Sequence, residues 1–270
     1  MKIRLYFIIK GLSLLLGSMV WGIGSLMAKP RVIATTTFIA DMAQVIAGED
    51  AEVISLMPIG GDPHLYDPVP GDAKLIAGAA LILRNGLTLE GWLNEMIENS
   101  GTRAPLITVT EGVAPIKSAD HPDAADPHAW MDLHHAEIYV HNIKDALVSL
   151  DPAHAANYQD RHDAYVSEIR QLDAYIKQQI ALIPVPNRVL VTSHDAFRYF
   201  GNRYGLRVES IMGTSTDAEA RVEDVTHLIS VLTEYKVPAV FLESTINPKV
   251  LQQLANDQGV RVGGKLFADS

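Results

Sequence analysis

From Arg31 onward the chain alternates short apolar, β-branched runs with longer stretches in which apolar residues recur every three or four positions. Arg31 to Thr35, Glu52 to Met57, Leu81 to Arg84 and Leu106 to Thr108 have the length and composition of strands, and the segments between them read as amphipathic helices. Such alternation implies a parallel sheet with helices on both faces, because each new parallel strand needs a crossover that packs back onto the sheet. A first α/β lobe is therefore expected over residues 29–150. A second series, with strands at Val189 to Thr192, Arg207 to Ile211, Ala239 to Leu242 and Val260 to Leu266 and a helical segment from Ala218 to Tyr235, predicts a second α/β lobe over residues 186–270.

Between the two series lies a polar stretch without Gly or Pro, Ala153 to Ile183. In it Tyr158, His162, Tyr165, Ile169, Leu172, Ile176 and Ile180 form one apolar stripe. Asp151-Pro152 starts this helix and Pro184 and Pro186 stop it, since proline is tolerated in a first turn and excluded from a helix interior. The pattern thus predicts an α/β protein of two lobes, with mainly parallel sheets flanked by helices, joined by one long linking helix over residues 151–185. The competing arrangement is a single larger α/β domain in which that helix is a crossover.

The first 28 residues have another character. Lys2, Arg4 and Lys10 precede an apolar run from Gly11 to Met27, and the segment closes on Leu26-Met27-Ala28. This is the layout of a secretory signal peptide over residues 1–28, cleaved before Lys29. An uncleaved anchor helix is the alternative. Losing three basic residues makes the formal net charge of −10 more negative still, and an acidic surface repels phosphate backbones and anionic headgroups, so nucleic acid is not an expected partner. The chain has no cysteine. Disulfides, thiolate ligands, a cysteine nucleophile and a lipidated cysteine are all excluded, so the expected product is periplasmic, monomeric and without a lipid anchor.

Ligands of open α/β sheets gather beyond the carboxyl ends of strands. His64 lies in the Gly60-Gly61-Asp62-Pro63-His64 loop after the second strand, His128 in Asp126-Pro127-His128-Ala129-Trp130 before a helix starting near Asp132, and His194 directly after Val189 to Ser193. Asp269 follows the last strand in the same way. Three imidazoles and a carboxylate suit a borderline cation such as zinc, manganese or iron(II). His134, His135, His141, His154, His162 and His227 fall in helical segments among polar neighbours and read as solvated, while His121 sits in an exposed loop. Glu243 and Asp195 are candidates to orient a ligand from behind.

These residues carry a resemblance. Gly60 to Tyr66, Asp126 to Asp132, Val191 to Phe200, Phe241 to Thr245 and Gly263 to Ser270 resemble the metal-specific substrate-binding proteins of ABC importers, the TroA-like zinc and manganese solute-binding family. The resemblance implies two lobes linked by a long helix, with the metal held between them by His64, His128, His194 and Asp269. It also implies docking onto a membrane permease coupled to a cytoplasmic ATPase. Zinc members of the family often carry a long His-rich loop, whereas Lys117 to Asp126 is short; manganese and iron members often have Glu where this chain has His194. Relatives continue past the aspartate, so the end at Ser270 predicts a truncated second lobe with Asp269 on a frayed terminus. Two further readings compete with capture and delivery: a redox enzyme with a His3Asp site and an adhesin. No HExxH or GxSxG motif supports an enzyme.

Overall fold

The computed structural model describes residues 28–218 and 220–270; the expected signal segment, but for Ala28, lies outside them. The first lobe begins with β1 (Arg31–Ala34), α1 (Thr37–Ala47), β2 (Glu52–Ser55), α2 (Pro70–Ala77), β3 (Leu81–Arg84), α3 (Leu93–Ser100) and β4 (Leu106–Thr108). These strands form one all-parallel sheet in the order β2-β1-β3-β4. Because β1 is central, its successive residues bury on both faces. Val32 and Ala34 pack under α1 with Ile39, Ala43 and Ile46, and Ile33 packs on the other side with Ile76, Leu93 and Met96. Burial on both faces is why the strands read as near-continuous apolar runs.

Helix α4 (Leu133–Leu150) covers the α1 face through Tyr139, Val140 and Ile143. The Asp132 side chain caps it, accepting from the His134 N–H at 2.8 Å. The predicted linker begins as a 3-10 turn, Pro152–His154, and continues as α5 (Ala155–Ala181). Only its first half is a core helix. Tyr158, Val166 and Ile169 are buried against the first lobe, whereas Leu172 and Tyr175 are 47% and 56% exposed. The apolar stripe thus extends beyond the surface it covers.

The second lobe holds two parallel pairs, β5 (Val189–Thr192) with β6 (Arg207–Ser210) and β7 (Ala239–Glu243) with β8 (Arg261–Leu266). Helices α6 (Arg198–Tyr204), α7 (Val222–Glu234) and α8 (Lys249–Asp257) complete it. Its core gathers Val191, Ile211, Leu228, Leu232, Val240, Leu251 and Leu254. Among the described residues, no helix is long and apolar enough to cross a membrane.

One guanidinium joins the three parts. Arg203 of α6 donates to Asp173 of α5 at 2.6 Å and lies 3.1 Å from Asp132, the cap of α4. Tyr204 and Lys177 also donate to Asp173, at 2.9 and 2.6 Å. The Arg203 hydrogen bond, with these two, holds the Asp173 carboxyl well below the usual carboxylate range. Arg203→Ala should lower the stability measured by urea unfolding by about 2–3 kcal/mol, since two mostly buried carboxylates lose a charged donor. A depressed folded-state pKa contributes stability that is present above the unfolded value of about 3.9 and is lost as pH falls through the folded value. The stability gap between parent and Asp173→Asn should therefore be full at pH 7 and shrink below about pH 4.

Candidate metal centre

His128 is positioned from two sides. Asp126 accepts from the His128 main-chain N–H at 3.0 Å, and the same oxygen lies 2.8 Å from His128 Nδ1. Behind the loop, Asn85 at the end of β3 donates to the Pro127 carbonyl at 3.0 Å and accepts from the Tyr139 hydroxyl at 2.5 Å. Asn85 is fixed in turn by the buried Glu90 carboxylate, which accepts from the N–H groups of Asn85 and Gly86 and from the Thr35 hydroxyl. A buried carboxylate with every donor in place stiffens its surroundings.

His194 follows β5, and its partner comes from β7. One Glu243 oxygen accepts from the N–H groups of Ser193 and His194, both at 2.8 Å, and the other lies 2.5 Å from His194 Nδ1. With a carboxylate beside Nδ1, each of these imidazoles has Nε2 in the cluster between the lobes. His64 sits in a loop whose Gly60 has φ +81°, and its N–H donates to Asp62 at 2.9 Å. Asp269 is fully buried rather than frayed. Its neighbour Ala268 accepts from the Trp130 indole N–H of the first lobe at 2.8 Å.

The four side chains meet between the lobes. His128 Nε2 lies 3.2 Å from His64 Nε2 and 3.3 Å from His194 Nε2. Asp269 oxygens are 3.3 Å from His194 Nε2 and 3.7 Å from His128 Nε2. One donor atom from each residue lies within 4.8 Å of all the others, and neither Asp269 oxygen has a hydrogen-bond partner. His128, His194 and Asp269 are wholly buried, and His64 is partly exposed.

Burial pushes the His128 imidazole well below its ordinary pKa. Burial and the neighbouring His128 and His194 take His64 down to about 3. For His194 burial acts downward too, but the Asp269 and Glu243 carboxylates outweigh it and raise the group to about 9. Burial raises Asp269 to about 7 and Asp126 to about 6. Without a cation, a proton on His194 balances the Asp269 charge.

The chain is similar throughout to known proteins. The family model described as ZnuA, zinc-uptake complex component A, periplasmic, matches residues 32–270. The chain belongs to this family. The iron-binding protein YfeA of Yersinia pestis is 39% identical over 244 residues, 90% of this chain and 78% of that protein. The manganese-binding lipoprotein MntA of Bacillus subtilis is 36% identical over 247 residues, 89% of this chain and 81% of that one. The solved structure of the periplasmic zinc-binding protein TroA from Treponema pallidum superimposes with a TM-score of 0.85 at 34% identity, covering 90% of each chain. The ZnuA family is thus one of metal-transport components, and these members are named for three different metals.

Of the other residues singled out in the sequence, Glu243 braces His194 as considered, but Asp195 faces Arg198 at 3.7 Å instead. His121 is exposed and stays outside the cluster. His135 is not solvated but half-buried beside Tyr199, and the His162 side chain is only 12% exposed. Asp126 was not anticipated. Its signal is the tripeptide Asp-Pro-His, which occurs at Asp62 to His64 and again at Asp126 to His128, in each case with the Asp oxygen accepting from the His N–H.

Glu243→Gln and Asp126→Asn should each weaken zinc affinity about 10–100-fold in chelator competition, as loss of an imidazole's supporting carboxylate does elsewhere. A cation must displace the proton that His194 holds below about pH 9. Zinc affinity should therefore fall on acidification, by about tenfold per pH unit between pH 8 and pH 7 for a one-proton exchange.

Proposed function

We propose that this protein captures a divalent transition metal outside the cytoplasm and delivers it to the membrane permease of an ABC importer driven by a cytoplasmic ATPase. His64, His128, His194 and Asp269 are the ligands in this reading, with zinc the best fit and manganese and iron(II) the competitors. The observation that carries it is the convergence of four donors within 4.8 Å of one another, with four contacts among them at 3.2 to 3.7 Å, around buried, unpartnered carboxylate oxygens. Metal bonds of about 2.0–2.1 Å in a tetrahedron give donor separations of about 3.3–3.4 Å. Manganese prefers more oxygen and more ligands, which Asp269 supplies by binding through both oxygens.

In this reading residues 29–150 and 186–270 are the two lobes and 151–185 the link, and a signal peptide cleaved after Ala28 gives a periplasmic protein. Relatives such as MntA are named lipoproteins, so the family does not support the expected lack of a lipid anchor. That expectation rests only on the absence of cysteine from these 270 residues. Binding without catalysis is supported by the four donors together, which make up a tetrahedral set, since a redox enzyme keeps a position open for its substrate.

Titration calorimetry and thermal unfolding of the chelator-stripped chain with zinc, manganese and iron(II) test this reading. One equivalent should bind, with zinc tightest, and metal at a hundred times its dissociation constant should add about 2.7 kcal/mol of stability. A His64→Ala, His194→Ala double variant should lose both effects. Failure of the parent to bind, or full retention in the double variant, would overturn it.

A further inference from the structure

Asp62 makes two bonds of different reach. One oxygen accepts from the His64 main-chain N–H at 2.9 Å; the other accepts from the Thr216 hydroxyl of the second lobe at 2.7 Å. The loop that carries His64 is thereby tied to a strap in the opposite lobe, Gly213 to Asp217. That strap is held by the first lobe at its other end as well: the Ser118 hydroxyl donates to the Thr214 hydroxyl at 3.0 Å, and Asp120 accepts from the Thr214 N–H at 2.6 Å. Gly213 lets the strap approach Asp120 closely, since a Cβ there would come within 1.9 Å of an Asp120 oxygen and push that side chain aside. Thr214, Ser215 and Asp217 line, with His64, Ser118 and His121, a cleft that reaches the cluster at His64.

The four proposed ligands differ in how they are held. His128 and His194 have carboxylates on Nδ1, and Asp269 is anchored beside the Trp130 bond. His64 alone is partly exposed, and among the described residues no hydrogen bond to its Nδ1 is found. Its placement depends on its loop, whose outer residue Ile59 is 94% exposed.

Resting on the proposed function, we infer that Thr216 is a positioning residue: its hydroxyl, through Asp62, latches His64 in the closed site and sets the rate at which metal leaves. Opening this latch frees one ligand and the mouth of the cleft while three donors stay in place. Release then needs no swing of the lobes.

The test is stopped-flow transfer of zinc from the loaded protein to a chelator, for the parent, Thr216→Val and Thr216→Ser. Thr216→Val should raise the dissociation rate about tenfold, as expected for losing a hydrogen bond to a carboxylate, and leave the association rate unchanged. Thr216→Ser should restore the parent rate, and Thr226→Val, on the exposed face of α7, should not alter it. In a His64→Ala background Thr216→Val should have no further effect, because the coupling runs through that imidazole. Thr216→Ala serves where the valine variant does not fold. An unchanged dissociation rate in Thr216→Val, or an equal acceleration in the His64→Ala background, would overturn the inference while zinc binding by the parent stood. A parent that binds no metal would instead overturn the proposed function.

Discussion

Three imidazole nitrogens and a carboxylate brought to one buried point impose the main constraint on this molecule. Lone pairs and negative charge at such separations repel unless positive charge lies among them. The Asp269 and Glu243 carboxylates favour a positive charge on His194, which opposes this repulsion. In the proposed function a divalent cation would take that place among the four donors, and the arrangement around them keeps the donors from collapsing together.

Resistance to collapse comes from carboxylates one layer further out. Asp126 and Glu243 each hold both a ring nitrogen and a main-chain N–H of the histidine in front of them. Glu90 does the same work another layer back, through Asn85 and the Pro127 carbonyl. The lobes are joined as firmly: Trp130 reaches Ala268, Tyr199 donates to the Asp126 carbonyl, and Arg203 spans α4, α5 and α6. A continuous α5 resists bending because bending breaks its own hydrogen bonds.

The sequence made the strands legible to within a residue or two, most plainly β1 and β3, whose apolar runs are buried on both faces. Leu81 to Arg84 and Val189 to Thr192 match the observed strands at both ends. His64, His194 and Asp269 stand out by their place after strands and His128 by its place before a helix, and the structure brings the four together. What stayed hidden depends on contacts between distant segments. Nothing local to Thr216 says that it will face a carboxylate 154 positions away, whereas the Asp126 contact is local and is carried by the Asp-Pro-His tripeptide. The half-exposed stripe of α5 was over-read for the same reason. Periodicity shows which side of a helix is apolar, but only the tertiary arrangement shows how far a neighbour extends along it.

Among the described residues there are two tryptophans, and both stand at the site. Trp130 stacks on Phe38 at 4.1 Å, lies 5.2 Å from the His128 ring and gives its N–H to the residue before Asp269. Trp92 packs on Tyr66 in the His64 loop and lines the entrance. One indole thus sits at the seam between the lobes and the other at the door. Indole fluorescence from these two residues consequently reports on the surroundings of the lobe seam and of the His64 loop without any added label.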